Sequence, residues 1–331
     1  MSSRNLRVLG KILVTIFVVL GLCKSLIAVE EEGSPMEKTY KKVLLDAGVD
    51  QYQVCEPMFE SVRIVLSHRG EKYTPAYVQG ISGAAFRIAG PCPCAPTCSC
   101  AMSPQELLSM LGYEFRHLDL SAKGVDPEKE VHKIVPKVRE EIRAGNPVMV
   151  WHAFTNAEWD VVCGFDENTK QFLGYGSYRG SKDNLAAEDE TRMAKCLHIC
   201  DAYGAIIVGE KTHEFSAREA ELAALEEAVR HAYSPRDRFL EEAKDLQKPW
   251  RFREGLACYD VWIDNFSVDP DKTPGAGDRY CLGWVSSTRV AAAEFMRELA
   301  PKYPEAKEHF LSAAGYFDAE SRALIELRDK V

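Results

Sequence analysis

The chain lacks a surplus of positive charge, and this absence excludes one large class of function. Its 331 residues carry 41 lysines and arginines against 50 aspartates and glutamates, and no run of basic residues occurs. The net charge of −9 therefore argues against a nucleic-acid partner, which would require a basic patch. An internal repeat is absent as well, and the length suffices for two globular domains.

The sequence also has little that could cross a membrane. An apolar stretch at residues 12–23 follows Arg4, Arg7 and Lys11, and small and acidic residues come after it. This order predicts a signal peptide over residues 1–28, cut after Ala28, with a polar linker over residues 29–39. The alternative is an uncleaved anchor, which would make the membrane a partner, although the stretch is shorter than the ~20 residues of a transmembrane helix. Either way, we expect an exported body that is periplasmic or extracellular.

Cysteine is not scarce, and export changes how it is interpreted. Of the eleven cysteines, removal of Cys23 with the signal peptide leaves ten, an even number that favours disulfides in an exported chain. A proline-rich loop holds four of them, for which two disulfides are the preferred interpretation: Cys92, Cys94, Cys98 and Cys100. Zinc or another soft metal is the alternative, but Cys-x-Cys is tighter than the usual zinc spacing, and free thiols are the third. We therefore expect no cofactor.

Two further pairs of cysteines follow later in the chain. Cys196 and Cys200 are spaced to share one helix face, where they would pair with the loop or serve as two metal ligands. Cys258 and Cys281 lie on successive predicted helices, as core residues or as one cross-helix disulfide.

The most informative cysteine is Cys55, which stands where an extended segment turns into an amphipathic helix. Pro57 suits the first turn of that helix, and Gly70 ends it. A thiol at a helix N-terminus faces unpaired backbone N–H groups and the positive end of the helix dipole, which favour the thiolate. The position suits a nucleophile; a small buried residue and half of a disulfide are the alternatives.

The remaining pattern divides the chain into a mixed part and a helical part. A helix is predicted from Met36 to Ala47, and the small residues of segment 77–87 indicate either tight helix packing or close approach to a ligand. Helices with capping signals and short strands then alternate up to residue 211, with strands predicted at 115–120, 147–154, 159–166, 171–175 and 205–208. After residue 212 only helices are predicted, at 216–229, 236–246, 255–266, 278–300 and 304–329.

The order of these features resembles the papain-like bacteriocin-processing peptidases and the N-terminal domain of the butirosin-biosynthesis acyltransferase family. The best-matching stretches are residues 54–70, with the cysteine-led helix, and residues 80–83, with the sequence Gly-Ile-Ser-Gly. The resemblance implies an α+β fold, in which a papain-like domain with a helical half and an antiparallel sheet covers residues 40–211. An all-α helical bundle over residues 212–331, which the resemblance does not cover, would follow.

The chain departs from this family at the partners of the cysteine. Such enzymes carry a histidine at the start of the strand that here ends in Gly-Phe-Asp at residues 164–166, and that place falls on Glu158 or Trp159. The acid that orients the histidine would lie near residues 174–177, where the sequence has neither Asp nor Glu. His152 is the nearest substitute base, and Glu158 would serve only if burial raised its pKa.

Three functions remain open from the sequence. The preferred one is a catalytically degenerate papain-like domain that binds a peptide or small ligand in a cleft at Cys55. The residues expected to line this cleft and bind the ligand are Gln53, Ser82, Phe86, Trp151 and Trp159. The alternatives are an active thiol hydrolase or acyltransferase with Cys55 as nucleophile, and a soft-metal-binding protein built on Cys92–Cys100.

Overall fold

The fold is a mixture of α-helices and antiparallel β-sheet. The computed structural model describes residues 42–45, 49–53, 57–90, 102–176, 185–195, 201–233, 237–240, 250–260, 263 and 276–330. The predicted signal peptide and linker lie outside these residues.

The described elements alternate along the chain. The strands are β1 (Lys42–Leu44), β2 (Ala89–Gly90), β3 (Tyr113–Leu118), β4 (Val148–Trp151), β5 (Trp159–Asp166), β6 (Gln171–Tyr175), β7 (Leu185–Ala186), β8 (Ala205–Lys211), β9 (Asp237–Leu240) and β10 (Trp250–Glu254). The α-helices are α1 (Pro57–His68), α2 (Pro75–Ile81), α3 (Pro104–Met110), α4 (Pro127–Arg143), α5 (Ala217–Tyr233), α6 (Ala276–Leu299) and α7 (Lys307–Arg328).

The main sheet has the strand order β3-β8-β4-β5-β6-β7, with antiparallel pairing throughout. Trp151 at the end of β4 lies opposite Trp159 at the start of β5. Strand β1 pairs with the later part of β5, which extends past β4, and Leu44 there lies opposite Gly164. The helix predicted from Met36 to Ala47 is therefore wrong at residues 42–44. Since β5 is twice as long as β4, its remaining backbone N–H and C=O groups need a partner, and β1 supplies it.

Helices cover both faces of this sheet. Phe59 and Val62 of α1 pack against Met149 and Val161 on one face, and α4 packs its apolar residues on the other. The sequence predicted α1 and α4, and the capping box at Ser103 that begins α3 is present. The predicted strands at 159–166 and 171–175 are confirmed as β5 and β6.

A second, three-stranded sheet corrects the prediction that the chain after residue 212 contains helices alone. Strand β10 pairs with β9 and also with β2, in the order β2-β10-β9. The predicted helix at 236–246 is wrong over residues 237–240, which form β9. The sequence Trp-Arg-Phe-Arg at residues 250–253 alternates apolar and charged residues, which is the two-residue period of a strand.

The C-terminal helices share the core of the first part. Phe295 of α6 is fully buried in the same hydrophobic cluster as Phe59 of α1. A side chain on Gly80 of α2 would meet the Phe295 ring at 2.3 Å, so this glycine permits the close approach of the two helices. The small residues of segment 77–87 therefore serve helix packing. The domain boundary near residue 212 stays a prediction, and the core runs across it.

Ser82 and Phe86, predicted to line a ligand cleft, belong to this helix packing. Both are buried, and the Phe86 ring lies 6.0 Å from the Phe295 ring and 5.7 Å from the Phe317 ring, measured between centroids. Phe86 is a core residue because α6 and α7 cover it, and Ser82 is buried at the C-terminal cap of α2. Across the ranges that the structure describes, no helix combines the length and the apolar composition needed to span a membrane.

Candidate functional site

The N-terminal end of α1 lies against the turn between β4 and β5. The Tyr52 hydroxyl, just before the helix, donates to the backbone carbonyl of Trp159 at 2.7 Å. At the other end of α1, His68 bonds through Nε2 to the carbonyl of Gly145, which precedes β4, at 2.8 Å. The helix therefore runs along the sheet, and its start faces the beginning of β5. Cys55 lies outside the described residues, between Gln53 and Pro57.

A buried ion cluster holds the segment that leads into Cys55. Arg63 on α1 is 3% exposed and pairs with Asp50 and with Glu60, both at 2.7 Å. The backbone N–H of Gln53 donates to Glu60 at 2.9 Å, and its side-chain amide donates to Asp50 at 3.1 Å. Gln53, predicted as a ligand-binding residue, is therefore an exposed residue whose backbone and side-chain amides are both bonded to this cluster.

Carboxylates dominate the electrostatics of this end of α1. Burial raises the pKa of Tyr52 well above its usual value, and the nearby charges of Asp160, Glu60 and Glu158 raise it further. Burial also raises the pKa of Glu60, against the opposing effect of its bonds to Arg63. A residue that loses a proton to become an anion is disfavoured in such surroundings. These surroundings therefore keep the Tyr52 hydroxyl protonated.

His152, predicted as the substitute base, is a structural residue of the β4–β5 turn. Its backbone has a φ of 56°, and its Nδ1 accepts a hydrogen bond from the backbone N–H of Ala157 at 2.9 Å. Its own backbone N–H donates to the carbonyl of Glu158 at 2.7 Å. Burial, with Arg192 and Lys195 nearby, lowers the pKa of His152 to about 4. The ring is therefore neutral at physiological pH, and Nδ1 is used inside the turn.

Asp160 completes this turn from the next strand. Its Oδ2 accepts hydrogen bonds from the backbone N–H groups of Phe154 at 2.6 Å and of Thr155 at 2.8 Å. Burial raises the pKa of Asp160 to about 7. Glu158, the other base considered from the sequence, is a buried residue of the same turn. The turn is thus fixed by side chains that bond to its own backbone.

The two predicted tryptophans are brought together on the α1 side of the sheet. Trp151 and Trp159 meet edge to face with ring centroids 5.6 Å apart, and Tyr203 lies 4.8 Å from Trp151. Both tryptophans are buried, at 6% and 3% exposure, and belong to the α1 cluster. They form an aromatic wall beside the start of α1.

Sequence reasoning missed His117, which joins this wall from β3. Its ring centroid is 6.5 Å from that of Trp159, and its Nε2 bonds to the carbonyl of Tyr203 at 2.8 Å. Nδ1 lies 3.3 Å from the side-chain amide of Gln105. A carbonyl partner makes Nε2 the protonated nitrogen, so Nδ1 carries the lone pair. This placement depends on the register of β3 on β8. That pairing is long-range, so local sequence patterns carry no signal for it.

Six of the cysteines assigned to disulfides or metal lie outside the described residues: Cys92, Cys94, Cys98, Cys100, Cys196 and Cys200. Cys163, Cys258 and Cys281 are buried. Burial raises the pKa of Cys258 to about 12, so this thiol is inert. The core role considered for Cys258 and Cys281 is the one that the structure gives them. Within the described part of the chain, no group of three His, Cys, Asp or Glu side chains is placed to hold a metal ion.

Comparisons with known proteins supply no family for the chain. No protein-family model matches the sequence, and no curated protein matches it at a significant level. Any functional argument therefore starts from the geometry above.

Proposed function

We propose that the chain is an exported papain-like protein whose cysteine site is catalytically degenerate and binds a peptide or a small ligand. The observation that carries the proposal is the hydrogen bond from Tyr52 to the Trp159 carbonyl. It joins the start of the cysteine-led helix to the point on β5 where the resembling enzymes carry their histidine. In this chain Glu158 and Trp159 occupy that position.

The charges near this point support binding rather than catalysis. A thiol nucleophile needs a base or a neighbouring cation to become a thiolate at neutral pH. The acids Asp160, Glu60 and Glu158 lie near Tyr52 instead, and Arg63 is already paired with Glu60 and with Asp50. We therefore propose that the Cys55 thiol stays protonated at neutral pH. What this point then offers a ligand is backbone groups, because Trp151 and Trp159 are buried core residues that back the site without lining it.

Export and disulfide formation are part of the same proposal. They rest on the sequence of residues 1–28 and on the cysteine loop, for which zinc is the less favoured occupant. Disulfides among the loop cysteines and the Cys196–Cys200 pair would leave Cys55 available as a thiol.

One observation favours a second function, a thiol hydrolase or acyltransferase. His117 lies on the α1 side of the sheet, against Trp159, and its Nε2 is held by a backbone carbonyl. A second group thus orients the ring as it would a catalytic histidine, and Nδ1 would act as a base only after parting from the side-chain amide of Gln105. Under this alternative, His117 rather than His152 would be the base for Cys55.

Alkylation of Cys55 by iodoacetamide separates the two functions. The wild type, His117→Ala and His152→Ala are compared at pH ~7, well below the ~8.5 at which a free thiol ionises, with Cys55→Ser to identify the labelled peptide. We expect slow labelling that neither histidine variant changes, and slower labelling when a pool of mixed short peptides occupies the site. Fast labelling that is lost in His117→Ala, together with hydrolysis of peptide or thioester substrates, would establish the enzyme.

A further inference from the structure

We propose that the free edge of β3 is the surface through which two copies of the chain associate, with their β3 strands paired antiparallel about a two-fold axis at Phe115. The two main sheets would then continue as one antiparallel sheet across the interface. This interface involves neither Cys55 nor the residues around Tyr52, and it would form whichever function that site has.

Strand β3 is the longest strand at a sheet edge among those that the structure describes. It has six residues, and of the described strands only β8 pairs with it. Strand β9, at the edge of the small sheet, has four residues, and β7, at the other end of the main sheet, has two. Natural proteins shorten or cover the edges that must stay single, because the backbone N–H and C=O groups there can pair with a strand of another molecule.

The free edge of β3 is also regular along its length. The pairing with β8 shifts between Tyr113 and Phe115, where three steps along β8 from Lys211 to Val208 match two steps along β3. The extra residue therefore belongs to β8, the inner strand, and β3 itself carries no bulge there. A bulge in an edge strand twists the edge away from a partner, and β3 does not use this protection.

The middle of β3 is exposed on both faces of the sheet. Glu114, Phe115 and Arg116 are all exposed, Phe115 by 36%. Because side chains alternate along a strand, Glu114 and Arg116 share one face and Phe115 lies on the other. Arg116 donates to Glu141 of α4 at 3.4 Å, so the two charges lie on the α4 side, and its side chain is still 54% exposed. The helices that cover the sheet therefore leave this stretch of β3 open.

The charges of this stretch are complementary to themselves. In an antiparallel pair centred on Phe115, Glu114 lies opposite Arg116 of the second copy, and Arg116 lies opposite Glu114 of the second copy. Opposite charges and aromatic rings that face each other across an antiparallel pair both stabilise it. A two-fold axis is the symmetry by which one patch matches itself. An unrelated strand would have to supply the reversed order of charges, whereas a second copy of the chain already has it.

Charge reversal tests this pairing, with sedimentation velocity of the full-length chain as the measurement. The interface is small, so we expect wild-type dimers at ~100 μM that dissociate on dilution to ~1 μM. Glu114→Arg places arginines opposite arginines, and Arg116→Glu places glutamates opposite glutamates. Each should raise the dissociation constant of the dimer at least about tenfold, because like charges then face each other twice. Both side chains are exposed, so both variants keep the core intact.

Mixing the two variants makes the test specific to this register. An equimolar mixture of Glu114→Arg and Arg116→Glu should form heterodimers, because one strand then carries two positive charges and the other two negative charges. The double variant should dimerise like the wild type. Glu219→Arg on α5 and Arg322→Glu on α7 change the net charge equally at exposed positions outside the sheet, and should leave the dimer unchanged. A monomeric wild type at ~100 μM, a dimer that both single reversals leave intact, or a mixture without heterodimers would overturn the interface.

Discussion

The two faces of the main sheet are covered by helices of opposite character. On α4, the buried side chains are all apolar and the rest of the helix is polar. On α1, Glu60, Ser61 and Arg63 are buried together with the apolar residues. The α4 face is an ordinary amphipathic contact, whereas the α1 face buries charges whose partners are the segment before it. Buried charges on the α1 face are what the site proposed at the start of α1 would lead us to expect.

The largest expected effect on stability concerns the contact between the α1 face and the C-terminal helices. Phe295→Ala removes a fully buried ring that packs on Gly80, and we expect it to lower the free energy of unfolding by ~3–5 kcal/mol. Chemical denaturation of both proteins measures the difference. A loss below ~1 kcal/mol, well under this range, would mean that the helices after residue 212 form a separate unit.

A pH series tests the buried carboxylate at the β4–β5 turn. The folded pKa of Asp160 is about 7, above its unfolded value of 3.8, so the folded state binds more protons between these values. Its contribution to stability is therefore present at low pH and is lost as the pH rises towards about 7. As the pH rises over this interval, we expect the unfolding free energy of Asp160→Asn to increase relative to that of the wild type. The change in this difference is at most ~4 kcal/mol.

The comparison with Asp160→Asn is needed because His152 acts in the opposite direction. Its folded pKa of about 4 lies below the ordinary 6.5, so ionisation of His152 favours unfolding as the pH falls through this range. The two slopes partly cancel in the wild type. Parallel curves for the two proteins would show that Asp160 ionises normally.

The smallest expected effect concerns plain apolar packing, where the two faces should agree. Ile64 on α1 and Ile142 on α4 are both fully buried. Ile→Val at either position should lower the free energy of unfolding by ~0.5–1.5 kcal/mol, measured by the denaturation midpoint. A cost at Ile64 several times that at Ile142 would place the difference between the faces in apolar packing instead of in the buried charges.

Local patterns predict the α4 face and fail at the α1 face for a physical reason. The apolar period of Val131, Ile134 and Val138 encodes α4 completely, because its burial depends on that helix alone. Strand β1 was missed because its partner, β5, is more than a hundred residues away. The period of two residues that marks β10 was present in the sequence, whereas its pairing with β2 was not.

The candidate site follows the same division. The start of α1 after Cys55 and the aromatic pair Trp151 and Trp159 were within reach of the sequence. The contact of His117 with Trp159 depends on the register of three strand pairs, and the Arg63 cluster depends on how the preceding coil folds back on α1. These are long-range contacts, and the geometry of the site depends on them.

The pH dependence of Cys55 alkylation tests the central claim most directly. The rate constant for iodoacetamide is measured from pH ~5 to ~10 on the native full-length chain, and the labelled peptide is identified by mass spectrometry. This range brackets the ~8.5 of a free thiol. If carboxylates surround the thiol as we propose, the apparent pKa lies at or above ~8.5. An apparent pKa below ~7 would mean an activated thiolate and would contradict the degenerate site.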